Sequence, residues 1–80
     1  MNADQLRAGR TLLRWSQADL AERSDVSLST IRRLEAMTGG LVGNATTLKA
    51  LQTALDQGGV IFIAENGEGP GVRLRKDRPE

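Results

Sequence analysis

Residues 17–36, QADLAERSDVSLSTIRRLEA, restrict the fold more tightly than any other stretch, and two helix-start signals eleven positions apart, at Ser16 just ahead of it and Ser27 within it, mark it. A helix leaves its first backbone N–H groups without internal partners, and a small polar side chain just ahead of it can accept from them. Ser16 fits that position for one helix, and Asp19, three residues on, completes a capping-box pair. Trp15 before the cap and Leu20 at the fourth helical position fit a hydrophobic staple. Ser27 caps the next helix, with Val26 and Ile31 in the same staple relationship, while Thr30 completes the reciprocal box only weakly. Only Ser24-Asp25-Val26 lies between the two helices, so they must cross steeply.

Two short helices joined by so tight a bend form a helix-turn-helix, the second presenting small polar and basic side chains. The stretch resembles the helix-turn-helix of Cro/CI-type phage repressors and the wider Xre-like family of bacterial transcriptional regulators. The matching residues are Gln17 at the opening, Leu20-Ala21 at the buried centre, Val26 after the turn, Ile31 and Leu34 on the second helix, and Glu35 at its end. The likeness extends over residues 4–57. One position departs: Asp25 stands where the family usually carries Gly. A left-handed backbone is needed there, and Asp is among the few non-Gly residues that tolerate it. The resemblance implies a mainly α, four-helix lambda-repressor-like domain that binds double-stranded DNA, of bacterial or phage origin.

Composition narrows the alternatives. Eighty residues make one small domain, near the range where a single core is marginal. With one Trp, one Phe and no Tyr, the core must be built from Leu, Ile, Val and Ala, and so thin a core favours help from a partner subunit. The absence of Cys excludes disulfides and thiolate metal sites. The absence of His removes the commonest metal ligand and general base. With no paired-carboxylate spacing either, no enzyme, metal or cofactor is expected. No apolar run is long enough to span a bilayer and no signal-peptide pattern opens the chain, so a cytoplasmic location, on the nucleoid when DNA-bound, is expected. A net charge of +1 is silent on nucleic acid, but its distribution is not. Arg7, Arg10, Arg14, Arg32 and Arg33 fall on or beside the helices proposed to meet DNA, and Arg73, Arg75, Lys76 and Arg78 crowd the C-terminal end.

Along the chain, residues 4–14 read as the first helix, with Leu6, Leu13 and Gly9 or the Arg10 stem inward and Asn2 or Asp4 as cap. By resemblance, Arg10 and Glu35 form a partly buried ion pair that braces this helix to the third. Arg14 reaches a phosphate or faces water. Helix 2 is expected from Gln17 to about Arg23, and Gln17 can place its amide on a phosphate while the helix N–H groups face the same anion.

Helix 3, expected from Leu28 to about Met37, carries the specificity. Leu28, Ser29, Arg32 and Arg33 project away from the Ile31–Leu34 face. By resemblance, positions 28, 29 and 33 read base edges, and 27 and 32 lie nearer the backbone. The planar fork of Arg33 suits guanine O6 and N7. Ser29 can bond a base or a phosphate, Ser27 and Arg32 suit phosphates, and Leu28 either touches a thymine methyl or packs inward. Residues 37–43, MTGGLVG, read as a flexible connection. Asn44 caps a fourth helix with Leu48, Leu51 and Leu55 on one stripe, and it is a second phosphate candidate or a plain cap.

Gly58-Gly59 ends that helix, and the period then changes. Residues 60–64 and 71–75 read as two strands of a hairpin, and Pro70 argues for a loop longer than two residues between them. A two-stranded ribbon is marginal alone and must pack on something. The chain therefore divides into a bundle at 1–57, a hairpin at 58–75 and a charged tail at 76–80. The apolar residues Val60, Ile61, Phe62, Ile63, Val72 and Leu74 are expected to build a homodimer interface. A palindromic operator follows from such symmetry. Repression by occupancy, rather than activation, is expected from size. The alternative is an antitoxin or phage-type modulator whose hairpin binds a protein partner.

Overall fold

The computed structural model of the chain describes residues 1–77. Four helices precede a two-stranded antiparallel sheet: α1 (Ala3–Leu12), α2 (Gln17–Ser24), α3 (Leu28–Glu35), α4 (Ala45–Gly58), β1 (Val60–Ile63) and β2 (Gly71–Leu74). The mainly helical fold with a C-terminal hairpin is the one expected. Of the charged tail, residues 78–80 lie outside the described residues.

Every helix starts at a side-chain cap. Asn2, and not Asp4, caps α1: its Oδ1 accepts from the Gln5 N–H at 2.8 Å, and the Asn2 N–H donates to Gln5 Oε1 at 2.9 Å. Ser16 and Asp19 exchange the same pair of bonds at 2.9 and 2.8 Å. Ser27 Oγ accepts from the Thr30 N–H at 3.3 Å, and Asn44 Oδ1 accepts from Thr46 and Thr47.

The helix ends fall short of the expected ones. α1 stops at Leu12 rather than residue 14, because Arg14 turns left-handed at φ 59°. The Arg14 N–H then donates to the Thr11 carbonyl (2.9 Å) and the Trp15 N–H to that of Arg10 (3.1 Å), the closed C-terminus usually built on Gly. α3 ends at Glu35 rather than near Met37. Asp25, at φ 60° and ψ 24°, ends α2 in the left-handed backbone its position requires.

Leu6, Leu20, Ile31, Leu34, Leu51, Leu55 and Val60 have no exposed surface and form the core, with Ala54 almost fully buried among them. Trp15 and Phe62 pack on its margin, as do Leu13, Ala21 and Val26. Gly58 lets Trp15 and Leu13 pack close against the end of α4, since a Cβ there would sit 2.7 Å from the Trp15 ring and 2.8 Å from Leu13 Cδ1. The Arg23 guanidinium lies 4.4 Å from the Trp15 ring centre, fixing the ring against α2.

The hairpin pairs Val60 with Leu74, Ile61 with Arg73, Phe62 with Val72 and Ile63 with Gly71. Each strand is one residue shorter than expected, and residues 64–70 form the longer loop that Pro70 called for. Side chains alternate across a strand. Val60, Phe62, Val72 and Leu74 therefore face the bundle and join its core, leaving Ile61 and Ile63 on the other face. This corrects the expectation that all six apolar residues serve a dimer interface: Val60 has no surface to offer. The hairpin rests on α1 and α4, and Gln5 fastens it there. The Gln5 Nε2 donates to the carbonyls of Ile63 (3.2 Å) and Gly71 (3.0 Å). Residues 37–43 are likewise more tethered than expected, because Gly40 pairs with Asn2 in an isolated antiparallel bridge just ahead of α1. No helix among the described residues is long and apolar enough to cross a membrane.

Candidate nucleic-acid interface

The turn between α2 and α3 is held by its own side chains. The Ser24 hydroxyl donates to the Leu20 carbonyl at 2.7 Å and accepts from the Val26 N–H at 3.2 Å. Asp25 reverses the chain, Val26 plugs into the core margin, and Ser27 starts α3. Ile31, Leu34 and Glu35 are the buried side of α3. By helical spacing, the opposite side carries Ser29, Arg32 and Arg33, all exposed. Neither arginine has an ion-pair or hydrogen-bond partner among the described residues. A charged fork on a short, capped, buried-faced helix is an arrangement suited to a groove lined with anions and acceptors.

Leu28, at the first position of α3, is half-buried and lies outside the set of side chains packed on the core. The sequence left it between interior and surface; three residues before Ile31 and seven before Glu35, it lies at the edge of the buried side of the helix. Ser27 is busier than expected. Its Oγ accepts from the Thr30 N–H and donates to Thr30 Oγ1 at 2.8 Å, with Ser29 Oγ at 3.4 Å. A phosphate bond from the Ser27 hydroxyl would have to displace Thr30.

Glu35 is the hub on the buried side. Its side chain is only 4% exposed, and the Arg10 guanidinium grips it in a fork: Nε to Oε2 at 2.8 Å and Nη2 to Oε1 at 2.8 Å. The remaining terminal nitrogen, Nη1, donates to the Trp15 carbonyl at 3.0 Å. Hydrogen bonding to Glu35 raises the Arg10 pKa further above its ordinary value, against the opposing pull of burial. The pair expected from the resemblance is therefore formed, and it joins α1 to the end of α3. Gln17, a phosphate candidate, turns its Nε2 to Glu35 Oε1 at 3.1 Å. One amide hydrogen is thereby committed inside the protein, and one remains for an outside acceptor.

The remaining candidates are not gathered at this hub. Arg14 is exposed, in its left-handed turn, with no partner among the described residues. Asn44 caps α4, its Oδ1 occupied by two backbone N–H groups. Two structural roles escaped the sequence reading, and one of them belongs to Arg7, which was counted above only among the basic residues near DNA. Arg7 donates to the main-chain carbonyl of Glu35 and to the Asp4 carboxylate, so it caps the last turn of α3 from α1. Gln5 fixes the hairpin. Its signal was present as the third residue after Asn2, a capping-box spacing, but nothing local pointed Arg7 toward Glu35.

A family model described as helix-turn-helix matches residues 6–40, from within α1 to the connection after α3, and leaves α4 and the hairpin outside it. No curated protein matches the chain. Residues 6–40 thus belong to the helix-turn-helix family of Xre/Cro/CI-type regulators, which bind DNA.

Proposed function

We propose that this DNA-binding regulator is a sequence-specific repressor that occupies a palindromic operator as a homodimer. The observation carrying the reading is the division of α3 into two sides. One is anchored through Ile31, Leu34 and the Arg10–Glu35 fork, and the other presents Ser29, Arg32 and Arg33 exposed, the two arginines without a partner among the described residues. Arg33 and Ser29 then meet base edges, Arg32 and Arg14 meet phosphates, and the free hydrogens of Gln17 and Asn44 add backbone contacts that set the register. The chain then works in the cytoplasm, bound to the nucleoid, and needs no cofactor.

The dimer reading rests on Ile61 and Ile63, two large apolar side chains on the hairpin face turned away from the core. A second copy placed there about a two-fold axis presents two α3 helices to successive major grooves, about 34 Å apart. The same two side chains also support a second reading, in which the hairpin holds a different protein, as an antitoxin or phage-type modulator does.

Selection of bound duplexes from a random DNA pool tests both. Recovery of an inverted repeat, bound by two copies and silencing a promoter placed over it, is the result expected. A protein that enriches no sequence and stays a monomer contradicts the first reading in favour of the second.

A further inference from the structure

A cleft of about 700 Å³ opens at the corner between α1 and α2, against the ends of α4 and β2. That volume lies in the range of sites that enclose a small organic molecule. Leu13, Trp15 and Leu74, all half-buried on the margin of the core, form its apolar wall. Arg14, Arg23 and Lys76 line it as exposed cations, and no carboxylate of the described residues does. None of the three cations has an ion-pair partner among the described residues. Arg23 lies 4.4 Å from the Trp15 ring centre and attracts Asp19, but that carboxylate is already bonded within the Ser16 cap.

We propose that this cleft is a binding site for a small aromatic acid, its ring lying against Trp15 and Leu74 and its anionic group taken by Arg23 and Lys76. A concavity lined by charge of one sign focuses the potential and concentrates ligands of the other sign. The arginine fork matches a carboxylate, and a flat ring beside the indole gains offset or edge contact beyond its buried area. The apolar wall is three side chains wide, which covers one ring system. A stable protein interface buries about 800 Å² on each partner, far more than such a wall supplies. Arg14 is also a phosphate candidate, whereas the other five side chains have no part in the function proposed above.

Trp15 is the one tryptophan of the chain, so its indole N–H gives a single signal in a proton–nitrogen correlation spectrum of the full chain. Titration with 2-naphthoate at low salt is expected to move that signal to saturation. The neutral 2-naphthamide, which keeps the ring and lacks the charge, should bind far more weakly. Arg23→Gln and, separately, Lys76→Gln should each weaken 2-naphthoate by up to about fivefold, the worth of one exposed ion pair. Lys76 follows β2 and makes no recorded contact, so its variant keeps the fold, and circular dichroism checks both. No saturable shift, an amide that binds as tightly as the acid, or two folded variants that bind like the parent overturns the assignment. So does a hexaglutamate peptide that moves the signal where 2-naphthoate does not, since the cleft would then serve an acidic protein segment. Every readout is taken without DNA, so failure here leaves the DNA-binding function standing.

Discussion

Arg10 meets Glu35 through two hydrogen bonds of 2.8 Å each, tying the last turn of α1 to the last residue of α3 with both side chains largely out of water. The geometry is that of a planar fork on a carboxylate, which a lysine cannot reproduce. Because α3 is only eight residues long, its angle to the bundle depends on anchors at both ends, and this pair is the C-terminal one.

Removing one side of that pair leaves a buried charge. Arg10→Leu should lower stability by about 3–5 kcal/mol, enough to unfold much of a domain this small at physiological temperature. The double variant Arg10→Leu with Glu35→Leu should recover a large part of the loss, because no uncompensated carboxylate remains. Thermal unfolding followed by circular dichroism distinguishes the two.

The cap of α2 makes part of the stability depend on pH. Hydrogen bonds from the Ser16 backbone and hydroxyl hold the Asp19 carboxyl below its ordinary pKa of 3.8. A pKa lowered by folding contributes stability above the unfolded value and loses it as pH falls through the folded one. Asp19→Asn should therefore be less stable than the parent at pH 7, with the difference shrinking below about pH 4. Urea unfolding at the two pH values measures it.

Arg14 separates stability from binding. As a non-Gly residue at φ 59°, it carries a conformational cost of about 1 kcal/mol. Arg14→Gly removes that cost but adds freedom to the unfolded chain, so stability should stay within about 1 kcal/mol of the parent. If Arg14 meets a phosphate, the same variant should bind all DNA more weakly and reduce the salt dependence by about one counterion. Salt titration of binding reads the second effect and calorimetry the first.

The two faces of the hairpin should respond differently. Ile61→Ser with Ile63→Ser changes side chains off the core and should give a folded monomer in place of a dimer. Phe62→Ala, on the packed face, should instead destabilise the fold by about 3 kcal/mol. Sedimentation equilibrium combined with thermal melts resolves the pair.

What was legible in the chain was local. Ser16 with Asp19, Ser27 with Thr30, and the demand on Asp25 each involve neighbours within four residues, and all appear at their expected positions. The Arg10–Glu35 pair spans 25 residues and was accessible only through likeness to a family that carries it. Contacts without that help stayed hidden. Arg7 reaching the Glu35 carbonyl and Gln5 reaching two hairpin carbonyls use side chains whose own neighbourhoods give no hint of a distant partner. The early end of α1 was missed for a different reason, since Arg14 occupies a left-handed position at which sequence rules look for Gly or Asn. The division of the hairpin faces depends on register, which two strands apolar on neighbouring positions do not specify alone.

The central claim is that α3 reads sequence with the side opposite Glu35. The direct measurement is the affinity of Arg33→Ala for the selected operator and for random duplex DNA under the same salt. A loss of about 1–3 kcal/mol on the operator, with much less on random DNA and relaxed preference at one base pair, is the result predicted. Equal losses on both, or no loss on the operator, would contradict it.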